Sequence, residues 1–228
     1  MGHALRFFIE GDYKAGQSLP LPDPLRHRLK KVLRLSRGNT IHLWNGKDGL
    51  WLAELNHDNL KTVELREQLE RQTFLPKKHL FMGLPKRDAW ETVLRQATEL
   101  GVTDIHPIKT EFADRDKTKP ERAQLICVEA SEQCERLDVP TVHAVTRLQD
   151  AISGFSSTIF WAAEREDSAK KCPTYTEGHG FLVGPEGGFS DAEKTFLMDQ
   201  KHIIPISLGR LILKADTAVP TLIGKISL

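Results

Sequence analysis

The chain has 228 residues, 39% hydrophobic and 28% charged, which gives ample material for two domains with cores of their own. Basic and acidic residues nearly cancel at a net charge of +1, so the chain is no bulk polyanion binder and any nucleic-acid contact has to come from local basic patches. Cys127, Cys134 and Cys172 are odd in number and widely spaced, which excludes a disulfide framework and suits a reducing compartment. The nine histidines show no ligand spacing, so no metal is expected. Residues 1–9 are too short for a signal peptide and no apolar run approaches the ~18 residues of a membrane helix, so a cytosolic protein is expected.

In chain order, residues 5–9 read as a strand, and 39–44 as another in which Ile41 and Leu43 alternate with polar neighbours. Asn45-Gly46 and Asp48-Gly49 supply turn chemistry before strand 50–55, and 62–65 is a further strand. Between the first two lies a helix over 26–35, with Leu25, Leu29, Val32 and Leu33 on one face and a cationic opposite face that carries Arg28, Lys31 and Arg34. Such a charge run reads either as a solvated face or as a surface that touches RNA. The polar stretch around Pro76 marks a boundary, giving domains 1–73, β-rich, and 74–228.

The second domain opens with strand 80–84 and the turn Pro85-Lys86-Arg87. A helix follows, with Asp88 as its cap, Glu91 at the capping-box position, an apolar face of Trp90, Val93, Leu94, Ala97 and Leu100, and Gly101 as its stop. Strand 102–108 leads into a loop of mixed charge over 109–119 that includes Arg115. From Pro120 a helix lines up Ala123, Ile126, Cys127, Ala130, Cys134 and Leu137. Glu132 and Arg136 lie off that stripe, four residues apart, a spacing that by itself is an ordinary surface pair. Strand 158–162 precedes a loop at Ala163-Glu164-Arg165, and 181–183 runs into Gly184-Pro185-Glu186-Gly187-Gly188. Ser190 with Glu193 forms a capping box, and Asp191 adds negative charge to that first turn. The apolar run 203–208 ends at Gly209, and a third, 211–213, ends at Lys214-Ala215-Asp216-Thr217. Strands alternating with helices predict an α/β domain with a largely parallel sheet, whose ligands bind outside the carboxyl ends of the strands.

The Gly-Pro-Glu-Gly-Gly loop is neither a P-loop nor a dinucleotide fingerprint, and alone it reads as a tight turn. Paired with Ser207-Leu208-Gly209-Arg210-Leu211-Ile212-Leu213-Lys214-Ala215-Asp216-Thr217-Ala218, however, the segment 182–190 resembles the double signature of the RsmE family. Members of that family make 3-methyluridine in 16S ribosomal RNA and belong to the SPOUT superfamily of knotted enzymes. Glu129-Ala130-Ser131-Glu132-Gln133 with Arg136 is similar to the family's Glu-Ala-x-Glu-Gln-x-x-Arg helix, and 27–46 is similar to its PUA-like amino-terminal domain. The resemblance implies a carboxyl-terminal trefoil knot, a homodimer, and a cleft for S-adenosylmethionine. It places that cofactor among Glu164, Leu182, Gly184, Pro185, Glu186, Gly187, Gly188, Ser207, Leu208, Gly209, Leu213 and Thr217. RNA contacts are expected from Arg28, Lys31, Arg34, Lys86, Arg87, Arg115 and Lys214, with small-subunit ribosomal RNA as partner.

Methylation at N3 of uracil requires that an imide proton leave, so a cation near O2 or O4 and a carboxylate base are needed. Arg136 and Arg210 are the candidate cations, Glu132 and Asp216 the candidate bases. The chain departs from the family where Lys214 and Asp216 replace arginine and glutamate, and Pro220 falls in a helix expected to begin near Thr217. Two alternatives stay open on the same fold: ribose 2′-O methylation of another RNA, and RNA binding without turnover.

Overall fold

The structure, a computed structural model, describes residues 5–113, 117–163 and 175–227. It divides into two compact units, Met1–Phe74 with Ser131–Val139, and Leu75–Ala130 with Pro140–Leu228.

The first unit is built on β1 (Arg6–Phe8), β2 (Ser18–Pro20), β3 (Thr40–Trp44), β4 (Leu50–Leu55) and β5 (Thr62–Glu70), in sheet order β1-β3-β4-β5-β2. The β3–β4 turn forms where expected because Asn45 organises it: its Oδ1 accepts from the N–H groups of Lys47 and Asp48 at 2.9 and 2.8 Å, and its Nδ2 donates to the Gly11 carbonyl. Phe7, Leu19, Leu29, Ile41, Leu43, Leu55, Val63 and Leu65 form one buried core. The basic helix departs from expectation. α1 (Asp23–His27) passes into a π-helical turn, Arg28–Val32, closed by the Leu33 N–H donating to the Arg28 carbonyl five residues back. The wider turn shifts the phase of the apolar face, so Leu29 stays buried and Leu33 still packs on the core while Val32 is 66% exposed.

Residues 131–139 are anchored in this unit. The Phe8 N–H donates to Glu132 Oε1 at 2.7 Å, the Gln72 amide donates to the Leu137 carbonyl at 2.8 Å, and Leu137 packs with Trp44 and Leu50.

The second unit carries β6 (His79–Gly83), α2 (Arg87–Glu99), β7 (Asp104–Lys109), α3 (Pro120–Gln133) as far as Ala130, β8 (Thr141–Val142), β9 (Thr146–Arg147), α4 (Leu148–Ser153), β10 (Ile159–Ala163), β11 (Gly180–Val183), α5 (Asp191–Met198), β12 (Ile203–Ser207) and α6 (Ala215–Ser227). Its sheet runs β12-β10-β11-β6-β7-β8, with β9 beside β7, and every pairing is parallel, as the alternating pattern predicted. The apolar face of α2 is buried as expected, but the helix starts one residue before Asp88, with Lys86 at the cap position, and Glu91 pairs instead with Arg87 and Arg122 at 3.2 and 3.0 Å. Cys134 is exposed because α3 ends at Gln133 and Glu135 turns left-handed, which takes the chain off the helical stripe. Residues 211–213, whose apolar run has the look of a strand end, form no strand; Leu211 and Ile212 are 81% and 61% exposed. α6 begins at Ala215, so Pro220 lies beyond the first turn and withholds a helical N–H inside the helix.

Candidate functional site

β10, β11 and β12 lie side by side, and their carboxyl ends open onto a cleft of about 520 Å³ within the second unit. Three segments wall it: 161–163 from the end of β10, the loop and helix start after β11, and 208–218 after β12. The sequence builds each wall differently. The Pro185 carbonyl accepts from the Gly188 N–H at 2.9 Å, closing a turn in which Gly188 takes φ +70°. Gly209 takes φ +116°, with open space where a side chain would start, so backbone lines the wall at that point.

The helix behind the first loop is locked by the expected capping box. Ser190 Oγ accepts from the Glu193 N–H at 3.3 Å, and Glu193 Oε2 accepts from the Ser190 N–H at 2.9 Å. Glu193 is only 6% exposed, and its Oε1 also accepts from the Glu111 N–H at 2.9 Å, so one carboxylate ties the loop after β7 to the start of α5. Charge-assisted bonds of this kind contribute about 1.5–3 kcal/mol each. Glu193→Ala is therefore expected to destabilise the protein by about 3 kcal/mol, and Glu193→Gln by less, as read from urea denaturation.

Of the residues expected to hold a cofactor, Gly184, Pro185, Glu186, Gly188, Leu208, Gly209 and Leu213 line the cleft. Leu182 is instead buried in the core beneath it, and Gly187 backs onto Phe112, which a side chain at that position would meet at 2.8 Å. Ser207 turns its Oγ to the Gly209 N–H at 3.3 Å, and Thr217 is exposed in the first turn of α6; neither is on the wall. Glu164 and Arg115 lie outside the described residues.

Arg210 is exposed and lines the cleft. Asp216 is half-buried in the first turn of α6, next to the wall residue Ala215. Arg136 and Glu132, the other two catalytic candidates, are already engaged within the first unit. The Arg136 guanidinium is buried and forks onto both Asp138 oxygens at 2.9 Å, while Glu132 holds the backbone of β1. Among the cations expected to touch RNA, Arg28, Lys31 and Arg34 are exposed on the first unit, with Arg28 over the Phe7 ring. In the second unit Lys86 is held through its N–H by Glu186, Arg87 pairs with Glu91, and the Lys214 carbonyl accepts from the N–H groups of Thr217 and Ala218.

Trp161, Phe189, Lys194 and Met198 also line the cleft and were not anticipated. Lys194 and Met198 were legible in principle, since a helix capped at Ser190 sets residues four apart on one face. The Trp161 ring stands edge-on to Phe189, with centroids 5.9 Å apart, and its buried Nε1 has no hydrogen-bond partner.

A second polar cluster lies at the opposite, amino ends of the strands. Burial pushes the His106 imidazole down to about 3 and lowers His79 as well. Burial would raise Asp104, but hydrogen bonds from Lys77, His143 and Thr103 outweigh it and hold the carboxyl well below its usual range.

A parallel sheet with a cleft at its carboxyl edge, walled by two glycine loops, belongs to the α/β ligand-binding enzymes, and residues 73–227 match the family described as RNA methyltransferase domain. The ribosomal RNA small subunit methyltransferase E of Rickettsia conorii is 32% identical over 209 residues, which cover 89% of this chain and 86% of that one. The protein of the same name from Synechocystis is also 32% identical, over 88% of this chain and 70% of that one. Among solved structures, the ribosomal RNA small subunit methyltransferase E of Neisseria gonorrhoeae bound to S-adenosyl methionine superposes with a TM-score of 0.82 at 26% identity, over 97% of this chain and 96% of that one. A Legionella pneumophila protein solved with the bound cofactor SAM reaches 0.84 at 26% identity, over 98% and 96%. The chain belongs to the ribosomal RNA small subunit methyltransferase E family.

Proposed function

We propose that the protein transfers a methyl group from S-adenosylmethionine to N3 of a uridine in 16S ribosomal RNA of the small subunit. The observation that carries this reading is the cleft formed by the loops after β10, β11 and β12, in a chain whose relatives bear that methyltransferase name. The residues present fit the cofactor. The cleft has the size of a small-molecule site, combines apolar side chains such as Trp161 and Leu213 with glycine backbone at 184, 188 and 209, and holds the unpartnered Trp161 Nε1. Gly184, Pro185, Gly188, Leu208, Gly209 and Leu213 would hold it, and when bound it supplies an activated methyl electrophile.

The chain's own residues prepare the nucleophile. Watson–Crick pairing would bury N3, so the target base is taken unpaired or flipped. Arg210, exposed at the cleft, places a permanent positive charge where the deprotonated uracil carries its negative charge on O2 or O4. Asp216 is the carboxylate assigned to take the N3 proton. Lys214 and the exposed cations of the first unit, a PUA-like domain in this reading, grip the RNA backbone.

The edge position of β12, with α6 returning to pack on α2, supports a threaded, trefoil-knotted carboxyl terminus. Leu211 and Ile212, exposed on the wall of the cleft, support a homodimer in which a second copy covers them. No helix among the described residues is long and apolar enough to cross a membrane; a ribosomal substrate supports a cytoplasmic location.

The test is transfer of labelled methyl groups to small ribosomal subunits that lack the modification, with naked 16S RNA and transfer RNA in parallel. Label in subunits or 16S RNA is the expected result. Label confined to transfer RNA, or none anywhere from a protein that binds the cofactor, contradicts the reading.

A further inference from the structure

The amino ends of β6, β7 and β8 bring together a histidine cluster that the cleft does not use. Strand register sets His79 opposite Asp104 and Phe81 opposite His106, and side chains alternate along a strand, so all four share one face of the sheet. His143, just past β8, joins them: its ring stacks on His106 with centroids 4.1 Å apart and planes 7° from parallel. His79 Nδ1 lies 3.1 Å from His106 Nε2, and His143 Nε2 lies 3.0 Å from Asp104 Oδ1. Asp104 Oδ2 accepts from Lys77 Nζ and Thr103 Oγ1, each at 2.9 Å.

We propose that His79, His106 and Asp104 bind a divalent transition-metal ion, with zinc the best match to two imidazoles and a carboxylate. One donor atom from each of the three lies within 4.8 Å of the others. Two nitrogens on a tetrahedral zinc, at ~2.0–2.1 Å each, stand about 3.3 Å apart, close to the 3.1 Å between His79 and His106. A hydrogen bond between the imidazoles would explain that distance alone. It would not require a third donor, supplied here by the residue two positions before His106 on the same strand face.

The surroundings are those of a held ligand set. Phe81 stacks on His106 and Phe155 stands edge-on to His79, while His143 and Thr103 orient the carboxylate. Lys77, whose side chain is 60% exposed, can leave Oδ2 for water when a cation enters. The ion would pin β6 to β7 at the edge of the sheet away from the cleft, a structural site with no part in methyl transfer. Magnesium and calcium, which prefer oxygen ligands, do not suit it. Sequence spacing gives no sign of this site, because the ligands come from two strands that start 25 residues apart and converge only through register.

The test titrates chelator-stripped protein with Co²⁺, then Zn²⁺ or Mg²⁺, while absorbance and the unfolding midpoint are followed. One equivalent of cobalt should give the visible bands of a tetrahedral site, zinc should displace it and raise the midpoint, and magnesium should do neither. His79→Gln and His106→Gln should each weaken zinc binding by at least about tenfold. The surface variant His57→Gln and the thiol variant Cys134→Ser should leave it unchanged. Circular dichroism verifies folding, and Asp104→Asn replaces any histidine variant that fails to fold. No cobalt bands with an unmoved midpoint, or binding undiminished in the ligand variants, would overturn the proposal.

Discussion

Gly83→Ala is expected to weaken cofactor binding by more than about tenfold, although Gly83 itself is not on the cleft wall. Gly83 ends β6, and a methyl group there would sit 2.5 Å from Pro185 Cδ, 2.8 Å from Pro185 N and 3.1 Å from the Gly184 carbonyl carbon. Two of these three neighbours are backbone, so no rotamer change relieves the clash and the loop after β11 has to move. Overpacking of this kind costs about 1–3 kcal/mol. Displacement of Gly184 and Pro185 should weaken S-adenosylmethionine by more than about tenfold, which corresponds to ~1.4 kcal/mol of binding energy. Isothermal titration calorimetry measures this directly. Gly16→Ala is the control for the stability measurement, since nothing lies within 4 Å of its Cβ position, although its φ of +77° adds local strain. Affinity within twofold of the parent in Gly83→Ala would mean that the Gly184 loop does not hold the cofactor.

Arg210→Ala is expected to lower the rate of the chemical step by about 10²–10³ while leaving cofactor affinity within about threefold. Arg210 lines the cleft and is exposed, so its removal leaves no buried partner unpaired and no cavity in the core. The loss should therefore fall on the transition state, where the uracil carries charge, and appear in kcat more than in KM. Arg210→Lys keeps the charge without the planar fork and should recover part of the rate. Single-turnover methyl transfer at saturating RNA separates the effects. An unchanged single-turnover rate with weakened cofactor binding would move Arg210 from the base to the cofactor.

Much of this architecture was legible before the structure. The capping box at Ser190 and Glu193 and the glycine turn at Gly188 follow from local chemistry, and the alternation of strands with helices announced a largely parallel second sheet, though not its strand order. What escaped it depends on tertiary context. Leu211, Ile212 and Leu213 look like a strand by hydrophobicity, yet they line a cleft in a loop, with Leu211 and Ile212 exposed and not part of the core. Glu132 and Arg136 matched a helix motif, and only coordinates reveal that one holds Phe8 and the other Asp138. A π-helical turn exposed Val32, which a 3.6-residue period had placed inside. The histidine cluster was hidden for a similar reason, since register across β6 and β7 is not written in either strand alone.

The most direct measurement is the position of the methyl group on the product. Small subunits labelled by the protein are digested to nucleosides and separated by mass spectrometry against 3-methyluridine and 2′-O-methyluridine standards. The mechanism built on Arg210 and an unpaired uracil predicts label in 3-methyluridine alone. Label on the ribose, or a methylated base other than uracil, would contradict it.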